Sequence, residues 1–394
     1  MLNRRILRVK AFQNLYAYDQ CKGSNFNLAK DQIREAFLPD LNSMEVQDKP
    51  QLKKDAAKAI ELFSINLNSD LLQAGVADNG KIIQEVKNAI NSFHKANKKD
   101  MDFLLKNMIS SAERLPQLYL FAIQILLAFS EHVAEEAERK KRFSKEKAQL
   151  TRGEMNLANN KILQKVKEAA AFKSACTRHM ASIEDLELEI KEWFREYVRP
   201  LESYQSYIRL EAPTLEDDFE ITDEILKKVI FKTEVILSYF YEKDLNWTEN
   251  RPIVRSLASK VLKNMKDNFE SDGEVLPEIA LNWEEDKEFF QNIFNLTVEN
   301  DSANRELIAK KTQNWDIERI AQTDKIILSM ALTEMKNFPS IPVKVSINEY
   351  IDISKNYSTP KSKQFVNGLL DVLSKELTEN GQIRKSGRGL LDNK

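Results

Sequence analysis

Apolar residues recur at spacings of three and four along most of the chain, with Lys and Glu between them. That period predicts helices. A first helix is expected over residues 4–18, basic and then apolar. A polar stretch around Ser24 and a break at Pro39 follow, and the helical period resumes over 56–68. The segment NSDLLQAGVADNG reads as a turn region. Residues 101–142 form one long helix or two joined at Pro116, ending in EEAERKKRFSKEKAQ, whose mixed charges suit a solvated face. Residues 155–196 are again helical. An acidic, Pro-containing break follows, and helices then run from Thr222 to Leu377. The expected organisation is a helical N-terminal region over 1–220, a compact antiparallel bundle over 221–380 and a disordered tail over 381–394.

Composition sharpens this picture. Only 9 Gly and 10 Pro punctuate 394 residues, too little turn material for an all-β fold, and the chain reads as all-α. Net charge is −2, so a nucleic-acid site must be a local patch rather than a global basic field. Two cysteines, Cys21 and Cys176, make no disulfide framework and point to a reducing compartment. The strongest apolar run, LPQLYLFAIQILLAF, is short for a membrane span and reads as a buried helix. The basic start MLNRRILRVKAF lacks the apolar core and cleavage site of a signal peptide, so a cytoplasmic protein without membrane partners is expected.

Two basic segments carry an adjacent aromatic. Arg4, Arg5, Arg8 and Lys10 place four cations in the first helical turns, ahead of Tyr16 and Tyr18. Cations that track phosphates and aromatics that stack on bases are what a single-stranded RNA site needs. Because Phe12 and Leu15 continue the Arg4–Arg8 face, the basic turns are expected to project beyond the core. In STPKSKQF, Lys361 and Lys363 stand at a helix start, where unpaired backbone N–H groups already favour phosphate. Catalytic and metal chemistry find little footing. Cys176-x-x-His179 lacks a second ligand pair, no Gly-rich phosphate loop or nucleophile elbow occurs, and no cofactor or enzymatic activity is expected. His94 and His132 read as surface residues, and Glu284-Glu285 and Asp217-Asp218 as solvated faces. Asn367-Gly368 interrupts the last helix, where Gly costs about 1 kcal/mol relative to Ala. A close helix–helix approach at Gly368, with Asn367 paired to Asn348 or Glu349, would account for it. NWTENR at 246–251 also echoes NWDIER at 314–319, and ERLPQ echoes ERIAQ. The alternatives are coincidence among Glu- and Arg-rich helices or an N-terminal region that is a degenerate copy of the C-terminal fold.

Together, NWDIERIAQTDKIILSMALTEM, IPVKVSINEYIDISKNYS and SKQFVNGLLDVL resemble the C-terminal half of the NusB family of transcription antitermination factors, over residues 285–380. RRILRVKAFQNLYAYD is similar to that family's Arg-rich first helix, with Arg4, Arg5, Arg8, Gln13, Leu15 and Tyr16 matching. Ile6 stands where a further basic residue is common. The long stretch between the two segments is absent from compact members, so the chain looks like a long-form NusB. The resemblance implies an all-helical, non-enzymatic protein that binds boxA-like RNA with the ribosomal protein NusE within an RNA polymerase antitermination complex. It places Phe365 beside the RNA path, the alternative being a purely core residue. The RNA-contacting set is then Arg4, Arg5, Arg8, Lys10, Tyr16, Tyr18, Lys361, Lys363 and Phe365. A NusB-like domain fused to a ribosomal-RNA cytosine methyltransferase would need Gly-rich cofactor turns and a catalytic Cys, and neither occurs. The remaining alternative is a helical interaction scaffold that has lost RNA binding.

Overall fold

The computed structural model describes residues 2–42, 44, 46–67, 79–143, 152–271, 275–312 and 320–391, and all regular structure among them is helical. In chain order the helices are α1 (Arg4–Ala36), α2 (Lys49–Asn66), α3 (Gly80–Glu113), α4 (Leu115–Phe143), α5 (Lys161–Glu168) and α6 (Ala170–Arg178). They continue as α7 (Glu187–Trp193), α8 (Glu202–Tyr207), α9 (Leu215–Glu224), α10 (Glu234–Lys243) and α11 (Trp247–Asp267). The last five are α12 (Trp283–Glu299), α13 (Asp301–Lys311), α14 (Gln322–Asn337), α15 (Val343–Tyr357) and α16 (Ser362–Glu379). Local chemistry sets several boundaries. Asp48 caps α2 by accepting from the Gln51 backbone N–H, and Thr214 and Asp217 form a reciprocal capping box on α9.

Contacts divide the chain into two compact units, Met1–Ile6 with Ser110–Lys287 and Leu7–Ile109 with Glu288–Lys394. The boundary expected near residue 220 falls inside α9, in the first unit. Each unit joins segments far apart in sequence, which a linear reading cannot see.

In the first unit, α4 is the apolar centre, with nearly every residue from Leu115 to Ser130 buried. Phe121, Phe231, Phe240 and Trp247 form one aromatic cluster, Phe240 and Trp247 stacked at 4.3 Å between ring centroids. By length and composition one helical stretch within Gly80–Lys140 passes the test for a membrane span, contrary to the sequence reading. Since 78% of its apolar window is buried inside the protein, that window serves as core. Two surface expectations also fail in this unit. His132 packs against Phe194 at 5.3 Å, and burial lowers its pKa. Asp218 is buried, accepting from the Tyr207 hydroxyl at 2.5 Å and the Lys161 backbone N–H at 2.9 Å.

In the second unit, α1 from Leu7 onward meets α12 at Phe289, α13 at Arg305, α14 at Glu334 and α15 at Tyr357. α14 is its central helix, every residue from Ile326 to Met335 being buried. The later part of α1 joins α2 and α3 around Ala29, Ile33, Phe63, Val86 and Phe93, a core of its own. Residues 381–391 are ordered against the bundle rather than forming a free tail. Ile383 is buried, Lys385 Nζ donates to the Phe338 carbonyl at 2.9 Å, and the Ser386 N–H donates to the Pro339 carbonyl. Gly389 permits this docking, since a Cβ there would lie 2.1 Å from the Pro339 oxygen. The segment carrying Asn314–Arg319, with Trp315 and Ile317, lies outside the described residues, as does most of the expected turn region between α2 and α3.

Candidate nucleic-acid interface

The entrance to α16 is held by a chain of short hydrogen bonds. Ser362, buried, donates to Asp324 Oδ2 at 2.6 Å. Its Oγ also lies 2.7 Å from Thr359 Oγ1 and 3.0 Å from Ser358 Oγ, which in turn is 2.8 Å from Thr323 Oγ1. Thr323 therefore ties two elements together, while the N-cap of α14 is Ala321. Asp324 sits in the first turn of α14, where an acid suits the helix dipole, and is itself 4% exposed. Thr359 and Pro360 precede α16 rather than opening it, because the helix starts at Ser362. The network fixes a rigid turn from which Lys361 and Lys363 stand exposed and Phe365 half-buried. Beside it lies a groove of about 980 Å³, lined by Lys311, Ile320, Lys361, Phe365, Gly368 and Val372, among others.

Gly368 is exposed on that groove, and among the described residues a Cβ there would meet nothing within 4 Å. Asn367 is exposed too and faces Asp371 on its own helix at 3.5 Å. The expected close helix–helix approach and the pairing to Asn348 or Glu349 are therefore corrected. Among the described residues, the glycine faces the groove instead of admitting a neighbouring helix.

The basic start of α1 divides into three kinds of residue. Arg4, in the first unit, pairs with Glu285 and with Asp286, the latter at 3.0 Å. Arg5 and Tyr16 are exposed, Tyr16 by 39%. Arg8 and Lys10 are buried, 3% and 1% exposed, so these turns do not project beyond the core. Arg8 clamps Glu334 through Nε at 2.7 Å and Nη2 at 2.8 Å, with Glu349 at 3.7 Å and the Phe289 ring at 5.2 Å. Ser346 Oγ and Tyr350 OH also donate to Glu334, at 2.7 and 3.0 Å. Burial alone would depress the Arg8 pKa, but the charge of Glu334 and the hydrogen bonds to it, with Glu349 beyond, outweigh it and raise it above its ordinary value. A guanidinium so engaged has no donor face to offer a phosphate. Tyr18 is half-buried; burial first, then Asp301 and Asp100, raises its pKa.

Sequence reasoning passed over Ser362 and Asp324, the two residues that organise the turn. Their signal was present: an acid in the first turn of one helix and a serine opening another.

The NusB family profile matches residues 252–375, beginning well before the expected 285 and so including most of α11. Curated relatives named "Transcription antitermination protein NusB" align with part of the chain. That of Salinibacter ruber (strain DSM 13855 / M31) is 36% identical over 144 residues, 35% of this chain and 90% of the relative. That of Chloroherpeton thalassium (strain ATCC 35110 / GB-78) is 39% identical over 147 residues, 36% of this chain and 70% of the relative. That of Koribacter versatilis (strain Ellin345) is 37% identical over 94 residues, 24% of this chain and 64% of the relative. No solved structure matches. An alignment spanning nine-tenths of a relative at this identity, together with the profile match, settles kinship: the chain belongs to the NusB family.

Proposed function

We propose that this protein is an RNA-binding transcription antitermination factor of the cytoplasm. It recognises boxA-like single-stranded RNA together with the ribosomal protein NusE, within an RNA polymerase antitermination complex, and is not an enzyme. The observation that carries this reading is the turn opening α16. Two exposed lysines flank a helix N-terminus, and a half-buried aromatic stands beside an open groove. Lysine charge and free backbone N–H groups attract phosphate there, and Phe365 offers a ring for a base. On the first helix, Arg5 and Tyr16 remain candidates for contact. Arg8 and Lys10 serve the bundle's interior, and Arg4 is held by two carboxylates.

Gel-shift titration with boxA-like RNA, with and without NusE, tests the reading. Lys361→Ala with Lys363→Ala lowers the slope of log K against log salt by about 1.4, at about 0.7 per lost contact to a single strand. An unchanged affinity and slope in this variant would remove the turn from the site. The burial of Arg8 and Lys10 favours a second reading, an interaction scaffold without RNA binding, because it withdraws two of the four cations in the opening turns of the first helix. Wild-type protein that binds NusE but shifts no RNA would establish that second reading.

A further inference from the structure

α3 lies wholly outside the residues matched by the family profile, and its solvent side is unusually basic. One face is buried through Ile82, Val86, Ala89 and Phe93. Opposite it, Lys87, Lys95, Lys98, Lys99 and Lys106 are all exposed. At 3.6 residues per turn these five fall within an arc of about 120°, and from first to last they span about 29 Å. Between Lys87 and Lys106 a single acid shares the arc, Asp102, which lies 3.5 Å from Lys98. The other four lysines have no carboxylate in ion-pair range among the described residues. The chain as a whole is balanced, with 59 basic and 61 acidic residues. Five lysines to one acid on a single face therefore departs from the protein's norm, whereas an ordinary solvated face would mix the signs.

The geometry suits a linear polyanion. We propose that this face of α3 is a second RNA-contacting surface, tracking the phosphates of single-stranded RNA that continues beyond the segment bound at the α16 turn. Phe103, 62% exposed at the edge of the stripe, supplies a ring for base stacking, and Asn91, exposed within it, supplies an amide. A membrane surface is a poorer fit, because Phe103 is the one large apolar side chain exposed on this face and an interfacial helix needs a broad apolar side. The inference rests on the RNA-binding reading given above.

The test uses the full chain and two fluorescein-labelled RNAs, a short boxA-like strand and the same strand with an unstructured extension. The variant Lys87→Gln/Lys95→Gln/Lys99→Gln/Lys106→Gln keeps good helix formers at exposed positions, and circular dichroism checks its fold. Anisotropy titrations at several salt concentrations should show its slope on the extended RNA reduced by about 2.8, four contacts at about 0.7 each. Its binding of the short RNA should be unchanged, and the extension's gain in affinity should vanish. An unchanged slope on the extended RNA, with short-RNA binding intact, overturns the α3 surface alone. Wild-type protein that binds neither RNA overturns both this surface and the functional reading. Polyglutamate displacing the extended RNA as effectively as unlabelled RNA of equal charge would also overturn it, since the face would then suit an acidic protein.

Discussion

Replacing Arg8 by Met keeps the length and apolar stem of the side chain and removes its charge. Glu334, 0% exposed, would keep the Ser346 and Tyr350 hydroxyls but lose two charge-assisted bonds of 2.7 and 2.8 Å. Leaving one half of a buried pair behind costs about 3–5 kcal/mol, because the remaining carboxylate keeps its desolvation penalty without its counter-charge. Removing both members, in Arg8→Met/Glu334→Leu, should cost less than the sum of the single changes. Two hydroxyls then lose an acceptor, but no charge is stranded, and a coupling of about 1–3 kcal/mol is expected between such neighbours.

Because the chain has two compact units, a single unfolding midpoint does not isolate this effect. Amide hydrogen exchange does, and the loss of protection should concentrate in α14 and α15, which carry the pair and its hydroxyl donors. The same variant, studied where it remains folded, should bind RNA with wild-type affinity and salt slope. Two results would refute the reasoning: protection of α14 within about 0.5 kcal/mol of wild type, since surface changes stay in that range, or a reduced salt slope with the fold intact. The first would show that the pair holds nothing, the second that Arg8 reaches phosphate.

Two further expectations concern the end of the chain. Gly368→Ala should stabilise the protein by about 0.4–1 kcal/mol, since the helix gains a better former and the new methyl meets open space; a loss of stability in urea melts would reveal an unseen neighbour. Lys385 is pulled down from 10.5 to about 8 by burial, against the opposing charge of Glu334. The unfolded chain holds that proton more tightly, so its contribution is fully present above 10.5 and is lost as pH falls through about 8. Wild-type stability relative to Lys385→Met should therefore rise between those two pH values, and a flat difference would count against a depressed pKa for this half-buried amine.

The helical class was legible because few residues break helices and the apolar period is continuous, both of which are local properties. The C-terminal bundle was legible for a different reason: its motifs stand in order within one stretch of chain. Burial of charge was not legible. Arg8 and Lys10 look like part of an exposed basic patch, and what inverts that reading for Arg8 is Glu334, 326 residues away. Asp218 was misread in the same way, its partners Tyr207 and Lys161 lying 11 and 57 residues distant. Gly368 failed for the opposite reason. A glycine in mid-helix shows that a side chain is unwelcome, yet sequence cannot say whether a neighbouring helix or an open groove lies beyond it. These errors bear directly on function, because a count of basic residues near the N-terminus overstates what an RNA could touch. Once Arg8 and Lys10 are assigned to the interior and Arg4 to its carboxylates, Arg5 alone of the four opening cations joins Lys361, Lys363 and the α3 lysines as an exposed cation near an aromatic. The first helix then owes its basic character largely to packing, and the salt dependence of RNA binding should follow the lysines at α16 and α3 rather than the arginines at the start of α1.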